Sequence, residues 1–395
     1  MKVLLTGNAH LYKTPDGKYY APTIYGYEFF QRYLMVFEEV RFLAKTKYVD
    51  SIDTDNYLLT SGEGLEIFEL PWYQGLKAML KLMDKLILRY RKACDGCDCY
   101  IFRIAQIESY LTFILGKKRG KPFAVEVVNE PAISTDVKGV FKWINVQMQK
   151  YMTKKANGAS YVTQHILQQA YPSRARLMGE SNQYFETHYS SIDLMISYIR
   201  KPKKYLDTKT KFEVIHVANL INSNVKGHIT LIESLKIVAD HGYNITACLI
   251  GDGNFIPVLM DYAEKLGVAD KLHFIGRIHN KEGIIERLSE SDLFVYPTYF
   301  EGLSRSLIEA MAAGLPCIST SICGIPELLE EKYMFRPDDS ENFAKEIMHL
   351  IENPAELEMM SQRNIEIASR FTKDKLTERR YKFYSKLRRL SEKKY

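Results

Sequence analysis

From about residue 211 onward, short β-branched runs alternate with amphipathic stretches, and few folds accept that alternation. The runs FEVIHVANL, ITACLIGDG, LHFIGRI, DLFVYPT and LPCISTS are apolar and bounded by Gly, Asn, Pro or charge, as buried strands are. Between them lie HITLIESLKIVADHG, FIPVLMDYAEKLG, KEGIIERLSES and SRSLIEAMAAG, with apolar residues at helical spacing and glycine near several ends. Strand and helix in turn predict right-handed βαβ units and a parallel sheet. Ligands of such sheets bind beyond the carboxyl ends of the strands, which puts the candidate site in ANLINSNVKG, GDGN, GRIHN and TYFEGLS.

The chemistry of these loops is consistent. Gly251 and Gly253 of GDG permit close backbone approach, either to a ligand or within a tight turn. FEGLS opens a helix whose first N–H groups lack internal partners, an anion site suited to phosphate. Lys226 in NVKGH can supply a cation to that phosphate or stand in solvent. Glu301 precedes the helix, and Glu309 sits about two turns inside it. Two carboxylates so placed can hold two different sugars. The AMAAGLP that follows Glu309 predicts burial, where a carboxylate needs a partner.

EGLSRSLIEAMAAGLPCISTSICGIPELL resembles the donor-site signature of the retaining glycosyltransferases of family 4, with two glutamates separated by seven residues. VKGH, LIGDGN, HFIGRI, DLFVYPTYFEGLS and IPELL follow in the family's order between about 211 and 355. The resemblance implies an α/β chain of the GT-B fold, two Rossmann-like βαβ domains facing across a cleft. Residues 1–200 would bind the acceptor and 205–371 the nucleotide-sugar donor, joined through IRKPKKYLDTKTK at 199–211, with a terminal helix at 372–395 returning to the first domain. It further implies that Glu301 contacts the donor sugar, Glu309 the ribose hydroxyls and Lys226 the diphosphate. The backbone of Gly302, Leu303 and Ser304 would hold the same diphosphate, and Arg277 with Ile278 would border the base. The family usually has Gly-Arg where this chain has Ala218 and Asn219. Asn219 is kept in the donor set, and a second diphosphate cation is missing or comes from elsewhere.

The first half begins with the strand and glycine turn KVLLTGN and contains the strand candidates CYIFRI and PFAVEVVNEP. GNAHLYKTPDGKYYAPTIYGYEFFQRYL is rich in tyrosine, whose faces and hydroxyls suit a sugar or pack on their own domain. Acceptor-side candidates are Gly7, Asn8, His10, Tyr25, Tyr27, Asn129 and Glu130. Many family members carry a histidine after the strand corresponding to AVEVV, where this chain has Asn129, Glu130 and Pro131. Either no imidazole is needed or another residue, such as His10 or Glu130, serves.

At 395 residues the chain has room for two or three domains. No apolar run approaches the ~20 residues of a membrane span, and no secretory signal is read at the start. Cys94, Cys97 and Cys99 form CDGCDC, but no second Cys or His pair follows at zinc-finger spacing, so they read as reduced thiols of a cytoplasmic protein. Asp53 and Asp55 of SIDTDNY read as turn residues, not a metal-diphosphate motif. No cofactor, metal or nucleic acid is expected. Residues 75–92, GLKAMLKLMDKLILRYRK, read as one helix. Leu76, Met79, Leu80, Met83, Leu86, Ile87 and Tyr90 form its apolar face, and Lys77, Lys81, Lys85 and Arg89 form a basic stripe. With GKKRGK at 116–121 and a formal charge of +6, that helix suits an anionic membrane surface as well as a domain surface.

The expected activity is a metal-independent, retaining transfer of a hexose from a UDP- or GDP-sugar to a lipid-linked glycan for a cell-surface polysaccharide, at the inner face of the cell membrane. The alternatives are a GT-B sugar-nucleotide epimerase or hydrolase and a catalytically inactive nucleotide-sugar-binding partner subunit.

Overall fold

The computed structural model describes residues 1–118, 120–133, 139–205 and 211–392. It has two compact units, Met1–Tyr189 with Thr377–Tyr395, and Ser190–Leu376. Arg119 of GKKRGK, 206–210 of the linker reading and 393–395 of the terminal helix lie outside the described residues.

In the first unit the chain runs β1 (Lys2–Thr6), β2 (His10–Lys13), β3 (Tyr19–Ala21), α1 (Tyr27–Leu34), β4 (Glu39–Tyr48), β5 (Leu58–Leu59) and β6 (Leu65–Leu70). It continues through α2 (Gly75–Lys81), α3 (Met83–Ala93), β7 (Cys99–Ile104), α4 (Ile107–Leu115), β8 (Phe123–Val127), α5 (Gly139–Lys155), β9 (Gly158–Tyr161), α6 (Ile166–Ala170), α7 (Arg174–Met178) and β10 (Phe185–His188). The sheet order is β10-β9-β8-β7-β1-β4-β2-β3-β5, with β6 also paired to β4. Its pairs are parallel except for the β2–β3 and β3–β5 contacts.

The central strands β7 and β8 are buried along their whole length, as parallel strands covered on both faces are. Each nevertheless carries a charge, Arg103 and Glu126, at paired positions. Their side chains meet at 2.5 Å, and Glu126 also accepts hydrogen bonds from the hydroxyls of Tyr33, Tyr189 and Tyr384 at 3.0, 3.1 and 2.6 Å. Tyr384 lies on α14 (Lys373–Glu392), so this buried cluster ties the returning helix to the first unit.

The second unit contains β11 (Phe212–Leu220), α8 (His228–Asp240), β12 (Ile245–Asp252), α9 (Ile256–Leu266), β13 (Leu272–Gly276), α10 (Lys281–Glu290), β14 (Leu293–Tyr296), α11 (Arg305–Ala312), β15 (Cys317–Thr320) and β16 (Met334–Phe335). It closes with α12 (Ser340–Glu352) and α13 (Pro354–Ala368), ahead of α14. Its six strands are all parallel in the order β13-β12-β11-β14-β15-β16. Read by sequence, that order is 3-2-1-4-5-6, with a topological switch point between β11 and β14. Val214, Leu231, Leu249, Leu293, Ile318 and Ile347 fill the core that fixes these strands.

The first unit ends about ten residues earlier than the sequence reading set it, because residues 190–200 attach to the second. Leu194 bridges Thr372, Arg200 N–H donates to the Ala312 carbonyl at 2.8 Å, and the Asp193 carbonyl accepts from Lys281 Nζ at 2.6 Å.

The single helix read at 75–92 is corrected: it breaks at Leu82 into α2 and α3. Met79, Leu86 and Tyr90 face the core, and Arg89 is tied to the Glu69 carbonyl at 2.6 Å. Leu76 and Leu80, read on the same apolar face, are exposed.

Candidate active site

The switch point brings together the loop after β11 and the loop after β14. Gly227 makes this possible. Its φ is 77°, and a Cβ there would lie 1.9 Å from the Pro297 carbonyl oxygen. Tyr299 N–H donates to the Val225 carbonyl at 2.9 Å, pinning the two loops side by side. Lys226 therefore projects beside Glu301: its Nζ donates to Glu301 Oε1 at 2.5 Å and to the Phe300 carbonyl at 3.1 Å. Tyr296, the last residue of β14, donates its hydroxyl to the same Glu301 oxygen at 2.5 Å.

Beneath this trio lie two histidines. The His216 ring is 5.2 Å from Tyr296 and 4.5 Å from His228, centroid to centroid. His216 Nδ1 donates to the Val295 carbonyl at 2.9 Å. Burial pulls the His216 pKa down to about 4 and that of His228 down to about 2, so both rings are neutral. The sequence reading missed Tyr296, His216 and His228 because each sits inside an apolar run or helix start, where a polar ring looks like core.

Gly302, Leu303 and Ser304 lead into α11. Ser304 caps it, its Oγ accepting from Leu307 N–H at 3.2 Å. Glu309 lies on the same helix, mostly buried, and Lys281 Nζ is 3.9 Å from its Oε1. Burial raises the Glu309 pKa, opposed by Lys281 and Arg305. The partner anticipated for this carboxylate is thus Lys281, at the first turn of α10, which sequence reading did not name. Arg277 and Ile278 follow β13, Arg277 exposed. Asn219 is exposed near the end of β11, whereas Ala218 is buried.

Gly251 and Gly253 answer to sterics within the fold. A Cβ at Gly251 would lie 1.8 Å from the Ala218 carbonyl oxygen, and one at Gly253 would lie 2.3 Å from that of Ile221. Of the two readings of GDG, close backbone packing at the strand ends is the one with visible contacts.

The acceptor-side candidates do not form one group. Asn8 is exposed, its Oδ1 accepting from Lys45 Nζ at 2.6 Å, and Lys45 is buried against Glu108 at 2.8 Å. His10 Nε2 donates to the Tyr73 carbonyl at 3.1 Å, and its ring meets Trp72 edge-on at 4.8 Å. Gly7 lets Tyr25 and Phe42 approach. Tyr25 is core, packed on Phe29 and Phe42. Tyr27 hydrogen-bonds the Glu63 carbonyl at 2.7 Å within its own unit. The Asn129 carbonyl accepts from Gln149 Nε2 at 3.3 Å. Glu130 is buried, accepting from Tyr171 and from Ala132 N–H at 3.0 Å. Cys94, Cys97 and Cys99 are buried, which pushes their thiols up to about 12, 11 and 12. Asp53 accepts from Asp55 N–H and Asn56 Nδ2, as a turn residue does.

Two such sheet units are the GT-B glycosyltransferase fold. Sucrose-phosphate synthase from Thermosynechococcus elongatus matches with a TM-score of 0.69 at 14% identity, over 98% of this chain and 99% of that one. Anabaena Alr3699/HepE, solved with UDP-glucose, matches with a TM-score of 0.63 at 17% identity, over 97% and 98%. Residues 198–367 match the family model described as glycosyl transferases group 1. Protein CapJ of Staphylococcus aureus is 26% identical over 328 residues, 80% of this chain and 78% of CapJ. N-acetyl-alpha-D-glucosaminyl L-malate synthase of Bacillus anthracis is 27% identical over 180 residues, 44% of this chain and 45% of that protein.

Proposed function

We propose that the chain is a retaining glycosyltransferase of the family 4 type, moving a hexose from a UDP- or GDP-sugar to a lipid-linked glycan during synthesis of a cell-surface polysaccharide. The observation that carries this reading is the meeting of Lys226, Tyr296 and Glu301 at the switch point, beside the start of α11. The similarity to CapJ along most of both chains supports the polysaccharide assignment.

A diphosphate at the α11 N-terminus meets the N–H groups of Gly302, Leu303 and Ser304 and the Lys226 ammonium. Lys226 then shares its hydrogen bonds between Glu301 and the leaving group, whose charge grows as the sugar departs. Glu301 accepts from sugar hydroxyls and Glu309 from the ribose. Asn219, Arg277 and Ile278 line the remainder of the donor position. The bond from the anomeric carbon to the diphosphate breaks, and the acceptor oxygen bonds to that carbon on the same face. The acceptor proton passes to the departing phosphate, so neither an enzyme nucleophile nor a metal is used. Asn8, with Lys45 behind it, and His10 serve as the acceptor-side groups of this reading. The protein works at the inner face of the membrane, where Leu76 and Leu80 of α2 are exposed beside Lys77 and Lys81.

Incubation with a panel of UDP- and GDP-hexoses, with and without glycan acceptors, tests the reading by mass spectrometry and NMR of the product. Transfer with retained anomeric configuration is expected. Epimerised or hydrolysed donor without acceptor would instead mark an epimerase or hydrolase. Binding without turnover would mark an inactive partner subunit.

A further inference from the structure

Behind Asn8 and His10 lies a buried ion pair that the transfer chemistry leaves unused. Lys45 on β4 and Glu108 on α4 are only 4% and 2% exposed, with Nζ 2.8 Å from Oε1. An apolar pair of similar volume would be about as stable there, so what the charges add is direction. Lys45 Nζ also donates to Asn8 Oδ1 at 2.6 Å. An ammonium only donates, so the amide oxygen must face it, and Nδ2, with no partner among the described residues, is left to donate elsewhere. Glu108 Oε1 accepts a second bond, from the Tyr73 hydroxyl at 2.9 Å, and the Tyr73 carbonyl accepts from His10 Nε2 at 3.1 Å. A carbonyl only accepts, so the ring proton sits on Nε2. His10 Nδ1, also without a partner among the described residues, keeps its lone pair. Burial and Lys45 hold the His10 pKa below its ordinary value, opposed by the Tyr73 carbonyl and Glu108, so the ring is neutral at pH 7. The backbone beneath is fixed as well: His10 pairs with Lys45 across β2 and β4, and Lys45 N–H donates to the Ala9 carbonyl at 3.0 Å.

One buried carboxylate thus reaches two groups, Asn8 through Lys45 and His10 through Tyr73. Together they offer a hydrogen-bond donor and a hydrogen-bond acceptor with no net charge, which matches a hydroxyl and a neighbouring oxygen of an uncharged sugar. We propose, resting on the acceptor-side reading of Asn8 and His10, that Lys45 and Glu108 are positioning residues: they orient the Asn8 amide as donor and the His10 ring as acceptor toward a neutral sugar of the glycan acceptor. Neither Lys45 nor Glu108 touches the sugar itself.

Nitrogen NMR of the whole chain with isotope-labelled histidine reads the network directly, His10→Gln assigning one of nine histidine signals. Parent His10 should carry its proton on Nε2 and a bare Nδ1 at pH 7. The double variant Lys45→Met with Glu108→Gln leaves no lone ion buried, and a retained cooperative thermal melt is its folding control. In it the His10 pKa should rise, because Lys45 depresses it more than Glu108 raises it, and the two tautomers should mix. Transfer to p-nitrophenyl glycosides of neutral hexoses should show an acceptor KM raised about tenfold, with the donor KM at the parental value. Asn8→Asp keeps the oxygen that holds Lys45 but loses the N–H donors, so it should raise the acceptor KM while the His10 tautomer stays parental. A parental His10 signal in the double variant, an acceptor KM unmoved by either variant, or donor and acceptor KM rising together would overturn the proposal. So would a parent that binds a donor but transfers to no hexoside. A parent that binds no donor sinks the donor-site reading instead, and the His10 signal then decides the Lys45–Glu108 pair alone.

Discussion

Lys226 holds Glu301 and the Phe300 carbonyl, and in the proposed mechanism its charge meets the leaving diphosphate. Lys226→Ala should lower turnover by on the order of 10²-fold, since it removes a donor whose hydrogen bond strengthens in the transition state. Glu309→Ala should act chiefly on donor affinity, read as a raised donor KM. Parental kinetics in both variants would dismiss the site. His216 gives a second residue-scale expectation. Its pKa falls from 6.5 in the unfolded chain to about 4 in the fold, so the unfolded state binds more protons below pH 6.5. Stability is therefore complete above that pH and is lost as pH falls toward 4, by on the order of 3 kcal/mol from this residue. Urea midpoints of parent and His216→Gln at pH 7 and pH 5 should show a shallower pH dependence in the variant.

At the scale of elements, the strands β11 to β15 were legible because each is a short apolar run closed by a turn residue, and β11 falls on FEVIHVANL itself. The segment 75–92 was misread because helical spacing alone does not show that Leu82 ends one helix and starts another. Strand β4 was not read at all, since VRFLAKTKY mixes buried Lys45 with apolar residues; its partner, Glu108, is 63 positions away. The GDG glycines were legible as a turn but not as sites of contact with the Ala218 and Ile221 carbonyls. Helix α14 is held by Tyr384 on Glu126, a contact spanning 258 positions that no local pattern announces. Glu126→Ala would leave Arg103 buried without its counter-ion, so a loss of about 3–5 kcal/mol in unfolding free energy is expected. Tyr384→Phe should cost only about 1 kcal/mol. Equal losses from both would mean that the hydroxyl, not the ion pair, holds the cluster.

For the whole molecule, the GT-B fold is shown and residues 198–367 match the group 1 family model, while donor, acceptor and stereochemistry rest on the site proposed above. If Lys226 and the α11 N-terminus suffice to hold the leaving diphosphate, EDTA should leave transfer unchanged and magnesium should not raise it; activity abolished by EDTA and restored by magnesium would contradict a metal-free mechanism. The central claim is that a nucleotide sugar binds at the switch point of the second unit, and calorimetric titration of UDP- and GDP-hexoses into parent, Lys226→Ala and Glu309→Ala proteins tests it most directly. At least one donor should bind the parent, stabilising it by about 2.7 kcal/mol at ~100 times its Kd, and should bind both variants far more weakly. Parent-like affinity in both variants, or no binding by any donor to the parent, would contradict it.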